Sequence, residues 1–435
     1  LRPVLAYVAH GLRDPALDAA EAALVADLAA RLGAPHVVLP VTVVRTGGGP
    51  EEDARAARHA ALAAEAVRRG AVAVLYGHHA EDRAATLLLR LARGTAPDGL
   101  AGMTPVAPGG DGPPRVRPLL RLRRADLARH CAEDGLAVTE DPMNRDPAVR
   151  RVRVEEEVLP ALARIGSDPV AALGRLAALA AEDAAVLRDL AARAAAALPV
   201  RRAGAVVALP SAGLRGLPPA LGRRIVHAEL SRLGAATGAG PAVARTVARV
   251  LAAAEGVRAT LPGPLLMEVG GGWHLLVPRG DPAPTAAALP VPGAVGWPAA
   301  GLVVTAGTDG GDVTAERAPD VAALPPGLDP ARLRVVVRVP GPFMVRGRRP
   351  GDRLRTPGGT RRLGDVLADA GVPVALRDLL PVVAAAAAPD APLWVPGVVV
   401  AEPVRVTGAG PDGIEGPGPR TLLSAGPVGA DGPGE

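Results

Sequence analysis

Apolar runs alternate with Ala/Leu-rich stretches over the first 165 residues. Residues 1–9 (LRPVLAYVA) read as a strand, and after an HGLR turn a helix is expected over 15–32, stopped by Gly33. Residues 36–44 (HVVLPVTVV) form a second strand pattern, broken by Gly47, Gly48, Gly49 and Pro50 ahead of a helix over 51–69. Residues 71–76 are apolar throughout, as suits a strand buried in a parallel sheet, and a helix follows over 80–91. This alternation predicts an α/β layer with helices on both faces. Residues 93–118 are rich in Gly and Pro and read as loop. Further helices are expected at 124–134, 150–164 and 168–197, and two more within 217–255. Residues 259–278 turn toward strands, 279–300 read as a Pro/Ala/Gly linker, and 301–408 as a β-rich unit with one helix near 362–370. The Gly/Pro-rich segment 409–435 is expected to be a disordered tail. The chain shows no internal repeat.

Composition narrows the classes. A length of 435 residues suggests about three domains at roughly 150 residues each. Aromatic residues make up only 1% of the chain, so the cores must be built from Ala, Val and Leu. All 49 basic residues are Arg, and the net charge of +5 suits a polyanionic partner without establishing one. The single cysteine, Cys131, excludes an internal disulfide framework, a multi-Cys zinc site and a CxxC pair, and fits a reducing cytoplasm. The longest apolar stretch near the C-terminus, residues 379–401, contains Asp390 and four prolines and is too broken to span a bilayer. No signal peptide pattern is present.

Four segments carry candidate chemistry. The GHHAED run, residues 77–82, ends the third strand, where ligands of open parallel sheets bind. His79 and Asp82 are placed there to hold a nucleotide or its magnesium ion; equally, Glu81 and Asp82 suit the first turn of a helix because of its dipole. Arg90 and Arg93 in RLARG, residues 90–94, either clamp a phosphate or simply complement a helix C-terminus. The polar loop DPMNRD, residues 141–146, leads to Arg150, Arg151 and Arg153 and reads either as a phosphate contact or as a capping turn. Residues 343–362 hold seven Arg (Arg346, Arg348, Arg349, Arg353, Arg355, Arg361, Arg362) against Asp352 alone, a density that points to nucleic acid. The stretch RVRPLLRLRR, residues 115–124, is a weaker case of the same kind. The Gly47–Gly48–Gly49 triplet is not a Walker loop, because no G-K-[ST] follows. Aromatics are too few for a base-stacking platform, so RNA contact should rest on phosphate and shape.

Taken in order, these pieces resemble tRNA(Ile)-lysidine synthetase, a PP-loop ATP pyrophosphatase family. The resemblance runs through HGLR (10–13), EDARAARH (52–59), GHHAEDRAAT (77–86), LLRLARG (88–94), GLAGM (99–103), RPLL (117–120), DPMN (141–144), and Arg151 and Arg153 with VLP (158–160). It resumes at RGRRPGDR (346–353), GDVL (364–367), Val372, Pro373, Arg377, Asp378, PVV (381–383) and LWVPG (393–397). Three positions depart from the family pattern. The SGGxDS loop that cradles ATP phosphates does not occur, and the chain is expected to begin after it, truncated at its N-terminus. Ala85 stands where Glu is usual and Glu81 where Asp is usual. Met143 stands in place of Ser.

The resemblance implies a parallel-sheet PP-loop catalytic domain of the adenine-nucleotide alpha-hydrolase kind over 1–165. A helical linker over 166–200, a middle tRNA-recognition domain over 201–325, a small α+β C-terminal domain over 326–408 and a disordered tail over 409–435 complete it. It implies ATP-dependent attachment of free L-lysine to C2 of the wobble cytidine of tRNA(Ile) with a CAU anticodon, through an adenylated intermediate, with Mg2+, in the cytoplasm, and a homodimer is compatible. His10, Gly77, His79, Asp82 and Thr86 would line the nucleotide crevice, with Asp82 also the metal ligand and, with Arg93, catalytic. Arg93 would face the cytidine, and Asp141 and Asn144 would shape the anticodon and lysine side. Arg151 and Arg153 would contact the tRNA backbone, and Arg346, Arg349 and Arg353 the acceptor region. The alternatives are a non-catalytic tRNA-binding remnant without the ATP loop, or a related PP-loop tRNA-modifying enzyme. A thiolation enzyme is disfavoured because Cys131 is alone.

Overall fold

The computed structural model describes residues 2–10, 15–45, 50–110, 112–139, 146–166, 168–235, 241–263, 265–279, 286–308, 324–337, 341–401 and 421–427. Two compact units divide the chain: Leu1–Ala185 and, but for Ala239–Pro241, Val186–Glu435. No described helix is long and apolar enough to cross a membrane.

The first unit opens with strand β1 (Leu5–Ala9), helix α1 (Pro15–Arg31) and strand β2 (His36–Pro40). β1 and β2 are parallel, Leu5 opposite His36 through Ala9 opposite Pro40, with α1 as the crossover. The Tyr7 hydroxyl lies 3.0 Å from Asp18 and 2.9 Å from Glu21, fastening α1 to β1. Helix α2 (Pro50–Arg68), strand β3 (Val74–Leu75) and helix α3 (Ala80–Arg93) follow. A 3₁₀ turn at Pro97–Ala101 leads to the hairpin of β4 (Val106–Gly109) and β5 (Gly112–Val116). β5 sits between its neighbours, parallel to β3 and antiparallel to β4. Residues 93–118 are thus not the expected loop; Gly and Pro there shape an irregular hairpin and its approach.

The expected buried strand at 71–76 shrinks to two residues on the sheet edge. Val72 and Leu75 are exposed at 71% and 67%. An apolar run reports hydrophobicity, not coverage, and an edge strand has a partner on one side only. Burial passes instead to α3, where Ala84, Ala85 and Leu87 are fully buried. Ala84 packs with Leu159 and Val170. Gly94, at φ +74°, ends α3 in a conformation that a side chain would strain. Helix α4 (Arg124–Glu133) leads on to a continuous helical stretch: α5 (Arg150–Arg153), a π turn (Val154–Val158) and α6 (Leu159–Ala163). The 29-residue helix α7 (Pro169–Ala197) follows, and its residues from Val186 onward belong to the second unit.

The second unit contains the antiparallel sheet β6-β7-β10-β9-β8: β6 (Arg201–Ala203), β7 (Val206–Pro210), β8 (Arg258–Leu261), β9 (Leu265–Gly270) and β10 (Trp273–Pro278). Helices α8 (Ser211–Gly216), α9 (Pro219–Arg232) and α10 (Pro241–Ala252) belong to this part. Alternate residues of the sheet enter two cores. Val207, Leu209, Met267 and Leu276 pack with Ile225, Leu230 and Val250. Val206, Ala208, Leu275 and Val277 join the larger core around Trp297, Phe343 and Trp394.

That larger core is closed by two more sheets. One runs β11 (Ala287–Leu289), β15 (Phe343–Arg346), β18 (Val382–Ala385), β19 (Pro392–Val395) and β20 (Val399–Val400). The other runs β12 (Gly293–Trp297), β13 (Leu302–Thr308), β21 (Thr421–Pro427) and β14 (Arg334–Val337). The ribbon of β16 (Arg353–Thr356) and β17 (Gly359–Arg362) and helices α11 (Leu363–Asp369) and α12 (Val374–Arg377) complete it. Trp297 Nε1 donates to the Leu379 carbonyl at 2.7 Å. The Glu268 carboxylate of β9 accepts from Val374 N (3.1 Å) and Ala375 N (2.7 Å), capping α12. The expected helix near 362–370 is α11, whereas the expected linker 279–300 supplies β11 and β12.

The expected disordered tail needs the largest correction. Thr421–Pro427 is an inner strand, hydrogen-bonded to β13 on one side and β14 on the other. Leu423 is fully buried in the larger core. Its TLLSAGP sequence is short, lacks a clean alternation and follows a long Gly/Pro-rich segment, which masks it by composition. Leu423→Ala should therefore lower unfolding free energy by about 2–5 kcal/mol, as a large-to-small core change does. Chemical denaturation measures this; a change within about 0.5 kcal/mol would mark a surface tail instead.

Candidate active site

The site lies where β3 and β5, parallel to each other, reach their carboxyl ends, the position at which such sheets open a crevice. Tyr76, Gly77, His78 and His79 leave β3 there, and Arg117 follows β5. α2 contributes Arg55, Arg58 and His59. His59 Nδ1 and the Tyr76 hydroxyl are 2.6 Å apart. The Tyr76 ring meets His59 edge-on at 5.1 Å and stacks on His78 at 5.7 Å and 23°. The Arg117 guanidinium lies 6.0 Å from the Tyr76 ring centre. Arg115 donates to the Pro108 carbonyl (3.1 Å) and Arg117 to the Thr104 carbonyl (3.0 Å).

Among the described residues, none of Arg55, Arg58, Arg115 and Arg117 has an ion-pair partner. Four buried nitrogens (Arg58 Nε, Arg117 Nε, His59 Nε2 and His78 Nδ1) have no hydrogen-bond partner. Burial and the neighbouring Arg55, Arg115, Arg58 and Arg117 push the His59 pKa down to about 4. Burial, then Arg55, Arg117, Arg151 and Arg58, push His78 down to about 3. Arg55 is itself lowered, by burial and then by Arg58, Arg151 and Arg115. Positive charge crowds the crevice, and its two imidazoles are neutral at pH 7.

A second set, balanced in charge, holds the adjoining α3 N-terminus. Asp82 is 7% exposed; one carboxylate oxygen accepts from His79 N at 2.8 Å and the other pairs with Arg151. Arg151 also donates to Glu155 at 2.9 Å. Glu81 contacts His79 Nδ1 (2.9 Å), accepts from Arg124 N (3.0 Å) and pairs with Arg123 (3.3 Å). Arg123 reaches Asp168 at 2.6 Å. Burial opposes ionisation of Glu81, but the Arg124 N–H and other donors hold its pKa low overall. The network fixes the turn at 77–79. It does not offer an open metal position: both Asp82 oxygens are engaged, and no described group of three His, Cys, Asp or Glu could hold a metal. The Asp82 metal-ligand expectation therefore does not fit this arrangement.

The expected site residues fall into separate places. Gly77, His79 and Asp82 lie together, Thr86 lies one turn further along α3, and His10 directly follows β1. Arg93, expected beside the cytidine, is exposed at the other end of α3, about 16 Å along the axis from Asp82. Arg151, expected on tRNA, is ion-paired to Asp82, while Arg153 is exposed. Asp141 and Asn144 lie outside the described residues. Ala85 is fully buried and packs rather than reacts. Arg55, Arg58, His59, Tyr76, His78, Arg115 and Arg117 are not among the individual site residues expected from the sequence, although EDARAARH, GHHAED and RVRPLLRLRR contain all of them but Tyr76. Their signal is RAARH, which puts Arg55, Arg58 and His59 on one helix face, and the i, i+2 pair Arg115 and Arg117.

The C-terminal arginines also divide. Arg346 is 2% exposed and bidentate to Asp352 at 2.9 and 2.8 Å, so it is a core ion pair and not the tRNA contact expected. Arg348 pairs with Asp378, Arg349 with Asp390 and Arg361 with Asp369. Arg353, Arg355 and Arg362 are exposed and enter no ion pair among the described residues. Arg353 and Arg362 face each other across β16 and β17, beside a cavity of about 450 Å³ also lined by Arg348, Arg349 and Asp365.

Comparison with known proteins gives matching domains in the same order. Residues 1–162 match a model described as a PP-loop domain, and residues 343–411 one described as a TilS substrate C-terminal domain. A tRNA(Ile)-lysidine synthase of Symbiobacterium thermophilum is 35% identical over 425 residues, covering 91% of this chain and 83% of the relative. Those of Salinispora arenicola and Streptomyces coelicolor are 40% identical over 237 residues and 41% over 214. They cover 54% and 48% of this chain, and 69% and 58% of the relatives.

Two expectations follow from the geometry. His59 and His78 have folded pKa values below the usual 6.5, so the unfolded chain binds protons first as pH falls. Stability is therefore intact above pH 6.5 and declines below it toward the folded values. Thermal melts at pH 7.5 and 5 should show this loss, and a His59→Asn/His78→Asn double variant should lose less. Separately, Arg346→Ala strands the Asp352 carboxylate and should destabilise the second unit by about 3–5 kcal/mol. Arg353→Ala should change stability by under about 0.5 kcal/mol in the same denaturation assay.

Proposed function

Because the chain belongs to the tRNA(Ile)-lysidine synthase family, we propose that it forms lysidine in the cytoplasm on tRNA(Ile) with a CAU anticodon. The carrying observation is the colinear pair of matches, a PP-loop domain at 1–162 and a TilS substrate C-terminal domain at 343–411, within a 35% identity that spans 91% of the chain. The cosubstrate is ATP. The cytidine O2 attacks the α-phosphorus and pyrophosphate leaves. The amine of free L-lysine then attacks C2, its proton departs, and AMP leaves with the oxygen. Magnesium commonly accompanies ATP and would neutralise phosphate charge.

What supports a reaction site at the ends of β3 and β5 is the electrostatics. A nucleophilic attack at phosphorus gathers negative charge, and prepaid positive charge in a half-buried crevice stabilises it. Arg55, Arg58, Arg115 and Arg117 supply that charge with no ion pair among the described residues. The neutral His59 and His78 hydrogen-bond without adding repulsion. The Glu81, Asp82, Arg123 and Arg151 network holds the 77–79 turn against reorganisation. Arg353 and Arg362, unlike Arg346, are available to tRNA phosphates. The proposal assigns Asp141 and Asn144 to the anticodon and lysine side and includes a homodimer.

The natively expressed protein, incubated with this tRNA, ATP and labelled lysine, should put label into tRNA in step with AMP and pyrophosphate release. A protein that binds the tRNA yet never transfers label would contradict the proposal. Arg353→Ala with Arg362→Ala should weaken tRNA binding and reduce the log–log salt slope by about one per arginine; an unchanged slope would remove the ribbon from the interface.

A further inference from the structure

We propose that Arg55, Arg58, Arg115 and Arg117 form a polyphosphate subsite, which holds the β- and γ-phosphates of ATP and then the departing pyrophosphate. The inference rests on the ATP-dependent reading above and names a part of that site. It assigns the grip on the leaving group to α2 and β5 instead of leaving it wholly to a glycine-rich loop.

Charge count comes first. These arginines have no ion-pair partner among the described residues, and burying unpaired charge is costly unless a counter-charge arrives. A single RNA phosphodiester brings one negative charge. Two linked phosphate groups bring about three at neutral pH, close to the uncompensated charge here. Donor geometry comes second. Arg58 Nε and Arg117 Nε are buried without partners, as are His59 Nε2 and His78 Nδ1. A group with several acceptor oxygens on adjacent phosphorus atoms can satisfy several of these nitrogens together. Anchoring comes third. Arg115 and Arg117 are already fixed to the carbonyls of Pro108 and Thr104, and Tyr76 packs between His59 and His78, so little ordering remains. Acids are kept apart: Asp82 and Glu155 are occupied by Arg151.

Titration calorimetry of the natively expressed protein with inorganic pyrophosphate, ATP and AMP tests this. Arg58→Ala, whose side chain makes no hydrogen bond among the described residues, and Arg117→Ala should each weaken pyrophosphate and ATP binding by about 10- to 100-fold, while AMP affinity stays within about twofold. Thermal melts check folding, and Arg115→Ala serves as a second strand variant if Arg117→Ala does not fold. No pyrophosphate binding by the wild type, or unchanged affinity in Arg58→Ala, would overturn the subsite. Loss of AMP binding in equal measure would overturn it too, by pointing to the nucleoside end. The lysidine reaction is scored separately with labelled lysine. Crevice-dependent pyrophosphate binding without label transfer would refute the family activity and leave the subsite standing. Label transfer with an Arg58-independent pyrophosphate site would do the reverse.

Discussion

Like charges confined at a strand end must be offset or they weaken the fold that holds them. In the first unit, Arg55, Arg58, Arg115 and Arg117 share a half-buried crevice with no ion pair among the described residues, and burial, helped by their charge, lowers the pKa of the two imidazoles there. The surrounding architecture makes this tolerable. Arg115 and Arg117 are tied to backbone carbonyls, and Tyr76 spaces the two histidines. Glu81, Asp82 and Glu155 at the adjoining helix start are engaged by Arg123, Arg124 and Arg151. Stored positive potential of this kind is what a phosphate-transferring site requires before substrate arrives.

The second unit solves the opposite problem. Arg346, Arg348, Arg349 and Arg361 are each neutralised by an aspartate, and the Arg346–Asp352 pair is buried. On the β16–β17 ribbon, Arg353 and Arg362 stand opposite each other with no ion pair among the described residues. Directly opposed like charges disfavour a strand pair. Their retention next to an open cavity suits an anion bound there.

The family and the order of its domains were legible from motifs that survive drift, such as GHHAED, RPLL and RGRRPGDR. Helices with long Ala/Leu periodicity, such as α3 and α7, were legible too. The roles of single arginines were not. Arg346 and Arg353 look alike in the chain, yet β15 carries one into the core and β16 leaves the other outside. Arg93 sits in a family motif, but fourteen helical residues carry it away from the turn at His79. Arg55, Arg58, Arg115 and Arg117 come together only because β5 pairs parallel to β3, a partner that the glycines and prolines of 93–118 concealed. β21 was hidden in the same way, since its central place depends on β13 and β14, far off in sequence.

The measurement that bears most directly on the account is a crystal structure of the natively expressed protein with a non-hydrolysable ATP analogue and its tRNA. The account predicts the terminal phosphates of the analogue within hydrogen-bonding distance of Arg58 and Arg117, with the cytidine close by at the ends of β3 and β5. Terminal phosphates bound elsewhere, with this crevice filled only by solvent, would contradict it.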